Sequence, residues 1–259
     1  MRTGISSASL YPQLHTEAAV VSLAAMGCRD MEVFLQTRSE FRVQYVKRLQ
    51  AVCNQLAVKV HSVHAPSSHF EPLLFYTYKR QVGDGFDTLN RVLEAAARLG
   101  SDCYTFHGPL RVTNVEPDRI LERIIRVAEL ARTWGVKLAL ENVSWCLGWQ
   151  PKVFRWLLKQ NISNLYFTFD NKQAARSGYP DREFLDAMAP ALVNVHLSDV
   201  SERGSGLLPG HGEVDFTKIF ADLQAIDYTG PVILEVYGFK VEAASQLRAA
   251  WRQLKKSRT

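Results

Sequence analysis

The segment "FTFDNKQAARSGY", which runs from Phe167 to Tyr179, contains the strand-then-helix unit from which the fold can be inferred. It begins as an apolar and aromatic run typical of a buried strand, stops at Asp170, and continues as the start of a helix. Asp170 is either a helix cap, which accepts hydrogen bonds from free backbone N–H groups, or a functional carboxylate at the tip of a core strand. The segment alone favours neither role.

The same strand-then-helix unit repeats along the whole chain. Eight runs are predicted as strands: "TGISS", "DMEVFL", "VKVHSVHA", "CYTFHG", "VKLALENV", "LYFTFD", "LVNVHLSD" and "PVILEVYG". Helical periodicity covers Thr16–Met26, Glu40–Gln55, Lys79–Leu99, Pro117–Trp134, Pro151–Gln160, Asp181–Met188, Phe216–Ile226 and Val241–Lys256. Eight such units in 259 residues indicate an α/β protein with a (β/α)8 barrel.

The chain is predicted to form one domain over residues 1–259, because no Pro/Gly-rich linker divides it. A doubly wound sheet would need a glycine-rich phosphate turn after its first strand. The segment "GISSASLYPQ" offers no GxGxxG pattern there. The single barrel is therefore the preferred architecture.

Composition and charge narrow the class of protein. No run of about 18 apolar residues is present, and "MRTGISSASLYPQLH" lacks the apolar core of a signal peptide, so we expect a cytoplasmic protein without a membrane segment. Four widely spaced cysteines without a CxxC pair fit reduced thiols. A net charge of +5 is compatible with phosphate-bearing partners but does not require a nucleic acid.

Polar residues follow a regular pattern at the ends of the predicted strands. Strands three to eight each end with one histidine, aspartate or glutamate: His64, His107, Glu141, Asp170, His196 and Glu235. In a (β/α)8 barrel the carboxyl ends of the strands open into the active-site mouth. We therefore expect the six side chains to lie in one ring.

Each of these residues has an ordinary explanation when it is taken alone. A histidine near a strand end is commonly a hydrogen-bonded core residue, and a carboxylate there is commonly a cap or half of an ion pair. Several carboxylates buried together without a cation, however, would force some of them to take up protons. A ring of three carboxylates and three imidazoles suits Mn, Co, Zn or Fe better than Ca or Mg, which prefer oxygen ligands alone.

The strand-end series "HAP", "HGP", "EN", "D", "H" and "E" resembles the xylose isomerase-like TIM-barrel superfamily, which contains sugar isomerases and epimerases together with endonuclease IV. The resemblance covers nearly the whole chain. The loop "LPGHGEVDF" at Leu208–Phe216 is similar to the "PGEGEIDF" stretch common among the isomerase and epimerase members. The series is specific for the superfamily and only weakly specific for one reaction within it.

The resemblance implies roles for the six strand-end residues. Glu141, Asp170, His196 and Glu235 would ligate one divalent ion, and Glu141 and Glu235 would also form the acid/base pair of an epimerase. His64 and His107 match positions that hold a second metal with a shared glutamate, here Glu141, in endonuclease IV-like members. In many epimerase-like members the same positions line the substrate pocket, so both roles stay open.

Three positions separate this chain from endonuclease IV, in which a third zinc is bound by a histidine three residues after the sixth-strand aspartate and by an Asp-x-His in the loop after strand seven. Here Gln173 takes the first position, and Gly204 and Gly206 align with the other two. Because Gln is a poor zinc ligand, a three-zinc site is not expected. Gln173 is expected instead to contact substrate hydroxyl groups.

Loop residues near the predicted mouth are open to more than one interpretation. Trp145 and Trp149 would either wall the pocket and stack on a sugar ring or pack in the barrel rim. His211 replaces the usual glutamate of the "PGEGE" loop and is more readily interpreted as a loop residue than as a pocket residue.

The leading hypothesis is a metal-dependent isomerase or epimerase of a ketose, keto-inositol or sugar acid, working by proton transfer through an enediolate. The runner-up is an endonuclease IV-like phosphodiesterase with a two-metal site. A non-enzymatic sugar-binding or scaffold protein would not need an intact ring of six strand-end residues. The resemblance also makes a homo-oligomer plausible, and nucleic acid is not the expected partner.

Overall fold

The predicted strands close into one parallel barrel in the computed structural model, which describes residues 1–112, 115–238 and 243–258. Its strands are β1 Arg2–Ser6, β2 Asp30–Phe34, β3 Lys59–His64, β4 Cys103–Phe106, β5 Lys137–Glu141, β6 Leu165–Asp170, β7 Leu192–Leu197 and β10 Pro231–Leu234. Around the barrel they follow the order β1, β10, β7, β6, β5, β4, β3, β2. The (β/α)8 prediction is confirmed.

Helices follow the strands along the chain. They are α1 Thr16–Ala25, α2 Val43–Gln55, α3 Lys79–Arg98, α4 Pro117–Thr133, α5 Pro151–Lys159, α6 Asn171–Ser177, α7 Asp181–Met188, α8 Phe216–Ala225 and α9 Ala244–Lys256. The last helix was expected from Val241, but Val241 and Glu242 lie outside the described residues. Among those that are described, no helix has both the length and the apolar character needed to cross a bilayer.

Local sequence explains why the helices begin and end where they do. Helix α4 starts at Pro117, whose missing N–H would be unpaired in a first helical turn anyway. The chain leaves α4 through Gly135 at φ 69°, a left-handed conformation that favours glycine. The face of α4 that carries Ile124, Val127 and Ala131 is fully buried. That apolar stripe fixes which side of the helix faces the barrel wall.

The inside of the barrel carries a polar layer among its apolar side chains. Ser62 and Thr105 donate hydrogen bonds to Oε2 of Glu32 at 2.9 and 3.2 Å, and Asn194 contacts Thr105 Oγ1 and His196 Nε2. All five side chains are fully buried. Apolar branched residues usually fill the interior of a (β/α)8 barrel, so a polar layer here is unusual. It is connected to the polar mouth through the contacts of Glu32 and Asn194 with His196.

A short antiparallel hairpin, β8 Asp199–Ser201 with β9 Gly204–Leu207, follows β7 and was not among the predicted strands. Asp199 fixes the loop behind it: Oδ2 accepts from the N–H groups of Gly210 and Gly212, and Oδ1 accepts from Val214. The carboxylate thus ties residues 208–214 to the end of β7. The hairpin lies on the same side of the barrel as the strand-end polar residues.

Candidate metal centre

The six strand-end residues of the predicted ring all lie at the carboxyl ends of barrel strands. His64, Glu141 and Asp170 are the last residues of β3, β5 and β6, His196 is the penultimate residue of β7, and His107 and Glu235 come directly after β4 and β10. Five of the six are at most 3% exposed, and the sixth, His107, is partly exposed. The structure therefore brings all six to one mouth.

Four of them form the main cluster. Glu141, Asp170, His196 and Glu235 each offer one ligand atom, and these atoms all lie within 4.8 Å of one another. His196 Nδ1 is 3.4 Å from Glu141 Oε1 and 3.7 Å from Glu235 Oε2. These three carboxylates and one imidazole form a donor set that suits a divalent transition metal.

His196 is oriented for such an ion. Its Nε2 lies 2.9 Å from Oε2 of the buried Glu32, while its Nδ1 has no hydrogen-bond partner among the described residues. Burial opposes charge on the ring, but Glu32, Glu235 and Glu141 together raise the pKa of His196 well above its usual value. An ion that binds Nδ1 would therefore release a proton from it.

Asp170 has both of the roles that the sequence pattern left open. Its Oδ1 accepts from the backbone N–H of Gln173 at 3.1 Å and so caps α6, while Oδ2 has no hydrogen bond and faces the cluster. Two hydrogen bonds between Asn142 and the backbone of Asp170, at 2.7 and 2.9 Å, fix the strand end. Burial raises the pKa of Asp170 to about 6, because desolvation and the nearby Glu141 and Glu235 outweigh the opposing effect of Lys172.

A second cluster shares Glu141 with the first. His64, His107 and Glu141 offer ligand atoms within 4.8 Å of one another. His64 Nδ1 lies 2.8 Å from the carbonyl oxygen of Ala65, so it carries the proton and leaves Nε2 free to accept, 3.0 Å from His107 Nε2. Burial lowers the pKa of His64, whereas in His107 the contact with Glu141 outweighs burial and raises the pKa.

Comparison with known proteins assigns the chain to a family. Residues 20–257 match the family model for the xylose isomerase-like TIM barrel. The chain belongs to this family. It is 26% identical to an uncharacterised protein of Mycobacterium leprae, over 95% of this chain and 92% of the relative. It is 27% identical to an inosose dehydratase of Geobacillus kaustophilus, but only over 48% of this chain and 47% of that one.

The fold of this xylose isomerase-like barrel also matches solved structures. The crystal structure of D-psicose 3-epimerase from Clostridium cellulolyticum H10 with D-tagatose superimposes with a TM-score of 0.83 at 16% identity, covering 100% of this chain and 99% of that chain. At that identity the likeness concerns the arrangement of strands and helices.

Three buried charged residues of the xylose isomerase-like mouth escaped the sequence analysis. Glu32 contacts His196 from the barrel interior. Lys172 lies with its Nζ 2.8 Å from Glu235 Oε2 and 3.0 Å from Asp170 Oδ2. Glu71 accepts hydrogen bonds from Tyr104 Oη and from the backbone N–H groups of His107 and Gly108. Burial raises the pKa of Glu71 to about 7.

Gln173 lies in the mouth but already has a partner. Its Oε1 accepts from the backbone N–H of Ser144 at 3.2 Å and from the Ser144 hydroxyl at 3.0 Å. These bonds connect the start of α6 to the loop after β5. Contact with a substrate through the amide nitrogen of Gln173 stays a prediction.

The two loop tryptophans differ in their contacts, and Trp145 is the one beside the second cluster. Trp145 is 43% exposed, and its ring lies edge-on to His107 with 6.3 Å between centroids. The guanidinium of Arg111 lies 3.6 Å from the centre of the Trp149 ring. The backbone N–H of Arg111 donates to the backbone carbonyl of Trp145. Trp145 is thus the tryptophan that offers an accessible face beside the cluster. His211 is exposed, and its N–H donates to the carbonyl of Leu208.

Proposed function

We propose that this chain is a divalent-metal-dependent isomerase or epimerase of a small polyhydroxylated carbonyl compound: a ketose, a keto-inositol or a sugar acid. The observation that supports it most is the convergence of Glu141, Asp170, His196 and Glu235, whose ligand atoms lie within 4.8 Å of one another at the barrel mouth. Sugar epimerases share this fold at TM-scores near 0.8, and an inosose dehydratase is a partial relative.

The four residues of the main cluster would hold the ion, of the Mn, Co, Zn or Fe type. When bound, such an ion supplies Lewis acidity to adjacent carbonyl and hydroxyl oxygens, so that the C–H bond between them becomes more acidic. Asp170 and His196 hold fixed positions, because Asn142 locks the strand end of one and Glu32 orients the ring of the other.

Glu141 and Glu235 carry the proton transfer in this proposal. One carboxylate takes the proton from the carbon between the carbonyl and the hydroxyl, which leaves an enediolate, and the other, in its acid form, returns a proton to the opposite face. No electrons leave the substrate, so no redox cofactor is needed. The buried site excludes water, which strengthens each of these electrostatic contacts.

His64, His107, Gln173 and Trp145 are proposed to bind the substrate. Nε2 of His107 lies 3.0 Å from both His64 Nε2 and Glu141 Oε2, so a substrate would exchange for one of these contacts. The exposed Trp145 ring beside His107 offers an apolar face of the kind that stacks on a sugar ring. His107 lies at the boundary between the buried cluster and the open mouth, where it can contact both.

The test is hydrogen exchange on a panel of ketoses, keto-inositols and sugar acids in deuterated water. Protein stripped with a chelator and reloaded with Mn²⁺ should incorporate deuterium at the carbon next to the carbonyl of one compound and convert it to its epimer or isomer, as followed by NMR. The stripped protein is the control. Metal-loaded, folded protein that exchanges no member of the panel contradicts the proposal.

A two-metal phosphodiesterase is the second candidate, and one observation favours it. The cluster of His64, His107 and Glu141 offers ligand atoms within 4.8 Å of one another beside the first cluster. Two bound ions about 3.5–4 Å apart would support the phosphodiesterase hypothesis. A single ion with the imidazoles left for substrate supports the epimerase.

A further inference from the structure

Lys172 is a buried cation inside the acid cluster. It is the second residue of α6, is 1% exposed, and donates from Nζ to Oε2 of Glu235 at 2.8 Å. Its Nζ also lies 3.0 Å from Oδ2 of Asp170. A lysine is rarely buried so completely unless it is paired with a carboxylate, because removing an ammonium group from water is costly.

The two oxygens that Lys172 contacts are those that an ion would need. Asp170 Oδ1 is already occupied by the N–H of Gln173, so Oδ2 is the oxygen free to face the cluster. Glu235 Oε2 is the oxygen that lies 3.7 Å from His196 Nδ1. The ammonium and a divalent ion in the main cluster would therefore lie against the same pair of atoms.

Electrostatic repulsion opposes the binding of two cations at this shared position. Four carboxylates lie in one buried region, those of Glu32, Glu141, Asp170 and Glu235, and Lys172 contacts the last two of them. A cation with two positive charges placed within a few ångströms of the ammonium repels it strongly at the low effective dielectric of a buried site. The ammonium of Lys172 and a divalent ion therefore cannot both stay in close contact with Asp170 Oδ2 and Glu235 Oε2.

We propose that Lys172 is the resident counter-ion of the acid cluster, and that a divalent ion binds by displacing its ammonium from Asp170 Oδ2 and Glu235 Oε2. The inference rests on the metal site of the proposed function but not on the reaction. Lys172 then sets the metal affinity: it compensates the cluster in the metal-free protein and opposes entry of the ion.

The surroundings of Lys172 give its ammonium another place to go. Its Nζ already lies 5.2 Å from the centre of the Tyr237 ring, a cation–π contact that the ammonium can keep or tighten when it leaves the carboxylates. The stem of Lys172 passes under the β8–β9 hairpin at Gly206, where an added Cβ would lie 3.5 Å from Lys172 Cδ. Four rotatable bonds let the head group move while this stem stays in place.

The test compares Mn²⁺ affinity in the full chain by isothermal titration calorimetry after removal of metal. Lys172→Met keeps the length of the stem and removes the charge, so it should bind Mn²⁺ at least about tenfold more tightly than wild type, while its metal-free form unfolds at a lower temperature. Lys172→Arg keeps the charge and should not gain affinity. Lys218→Met, at an exposed lysine of α8, is the matched control and should leave the affinity unchanged.

Equal or weaker Mn²⁺ binding by folded Lys172→Met overturns the proposal, as does the absence of Mn²⁺ binding in both proteins. If Lys172→Met does not fold without metal, a crystal structure of wild type with Mn²⁺ decides. Nζ should then lie beyond hydrogen-bond distance, more than about 3.5 Å, from Asp170 Oδ2; an unmoved ammonium overturns it. Tight Mn²⁺ binding by Lys172→Met with no sugar turned over would reject the proposed reaction and leave this inference standing.

Discussion

Nε2 of His196 lies 2.9 Å from Oε2 of Glu32, a fully buried carboxylate on β2 that also accepts hydrogen bonds from Ser62 and Thr105. The contact fixes the plane of the imidazole and turns Nδ1 toward Glu141 and Glu235. Outer carboxylates of this kind orient a ligating histidine and make it a better donor. Glu32 is therefore a positioning residue of the proposed metal centre.

Glu32→Gln tests this role. The amide can still accept from His196 but carries no charge, so the affinity for Mn²⁺ should fall by about 10–100-fold. Calorimetric titration of metal-free protein measures it. Ser62→Ala is the control, since it removes one hydrogen bond to Glu32 and keeps the charge, and its effect should be much smaller. Unchanged affinity in Glu32→Gln would mean that His196 is oriented by its other neighbours.

Asp170→Asn separates the two roles of Asp170. The side-chain oxygen of Asn can still cap α6 by accepting from Gln173, but the ligand charge is lost. We expect the variant to fold and to lose most of its bound metal, as measured by elemental analysis after dialysis against Mn²⁺. Asp215→Asn is the matched control, because Asp215 caps α8 through Lys218 in the same way and is exposed. Full metal content in Asp170→Asn would remove Asp170 from the ligand set.

The barrel and the strand-end ring could be predicted because both depend on local patterns. Each strand is a short apolar run, and a polar residue at its end has a defined place once the fold is a (β/α)8 barrel. Asp170 shows this most clearly, since its place at a strand end raised two alternative roles, a helix cap and a functional carboxylate, and its two oxygens divide between α6 and the cluster.

Glu32 and Lys172 could not be predicted, because their positions depend on distant segments. In "DMEVF" the glutamate of β2 resembles an outward-facing strand residue, and its burial depends on Ser62, Thr105 and His196 from three other strands. Lys172, in the first turn of α6, resembles a solvated helix residue. The unpredicted β8–β9 hairpin lies beside its stem.

Asp102 at the opposite end of the barrel predicts an acid-dependent loss of stability. Its hydrogen bond from His61, together with Lys59 at 3.0 Å, lowers the pKa of Asp102 from 3.8 to about 2. A pKa that is lower in the folded state contributes stability that is fully present above the unfolded pKa and is lost as the pH falls toward 2. The carboxylate is 41% exposed, so solvent screening reduces the contribution.

Urea denaturation of Asp102→Asn and wild type at a series of pH values measures this contribution. The difference in unfolding free energy should be largest above about pH 4 and should shrink as the pH falls toward the folded pKa. Asp87→Asn, on the exposed surface of α3, is the control for the loss of one negative charge. An equal, pH-dependent difference in Asp87→Asn would show that net charge, not the contact with His61, is responsible.

We expect the protein to show no strong abasic-site cleavage of DNA, because the third zinc site of endonuclease IV is replaced here by Gln173, Gly204 and Gly206. Gln173 Oε1 is held by Ser144, and Gly206 adopts φ 71°, a conformation that a histidine would rarely take. A third zinc therefore has no ligands at these positions. Duplex DNA with an abasic site, incubated with the protein and excess zinc, should stay intact. Efficient incision that is lost in Glu235→Ala would favour the phosphodiesterase instead.

Glu141 is the last residue of β5, and Glu235 comes directly after β10. These two strands are separated around the barrel by β6 and β7. A sugar held at the main cluster should therefore meet the two carboxylates from different sides, as epimerisation requires when a proton leaves one face and returns to the other. Glu141→Gln and Glu235→Gln should each lower kcat by about 10²–10⁴-fold at saturating Mn²⁺. Gln keeps the shape and an oxygen ligand, so metal content measured in parallel separates lost chemistry from lost metal.

Hydrogen exchange then assigns the two carboxylates to the two faces. With one epimer as substrate, the variant that retains the first base should still wash deuterium into the C–H position without forming product, and the other variant should not. With the opposite epimer the two variants should exchange roles. Glu213→Gln, in the exposed loop before α8, controls for the loss of a glutamate charge and should keep full turnover. Full activity in either cluster variant with metal bound would refute the two-glutamate mechanism, because a single remaining carboxylate can reach only one face of the enediolate.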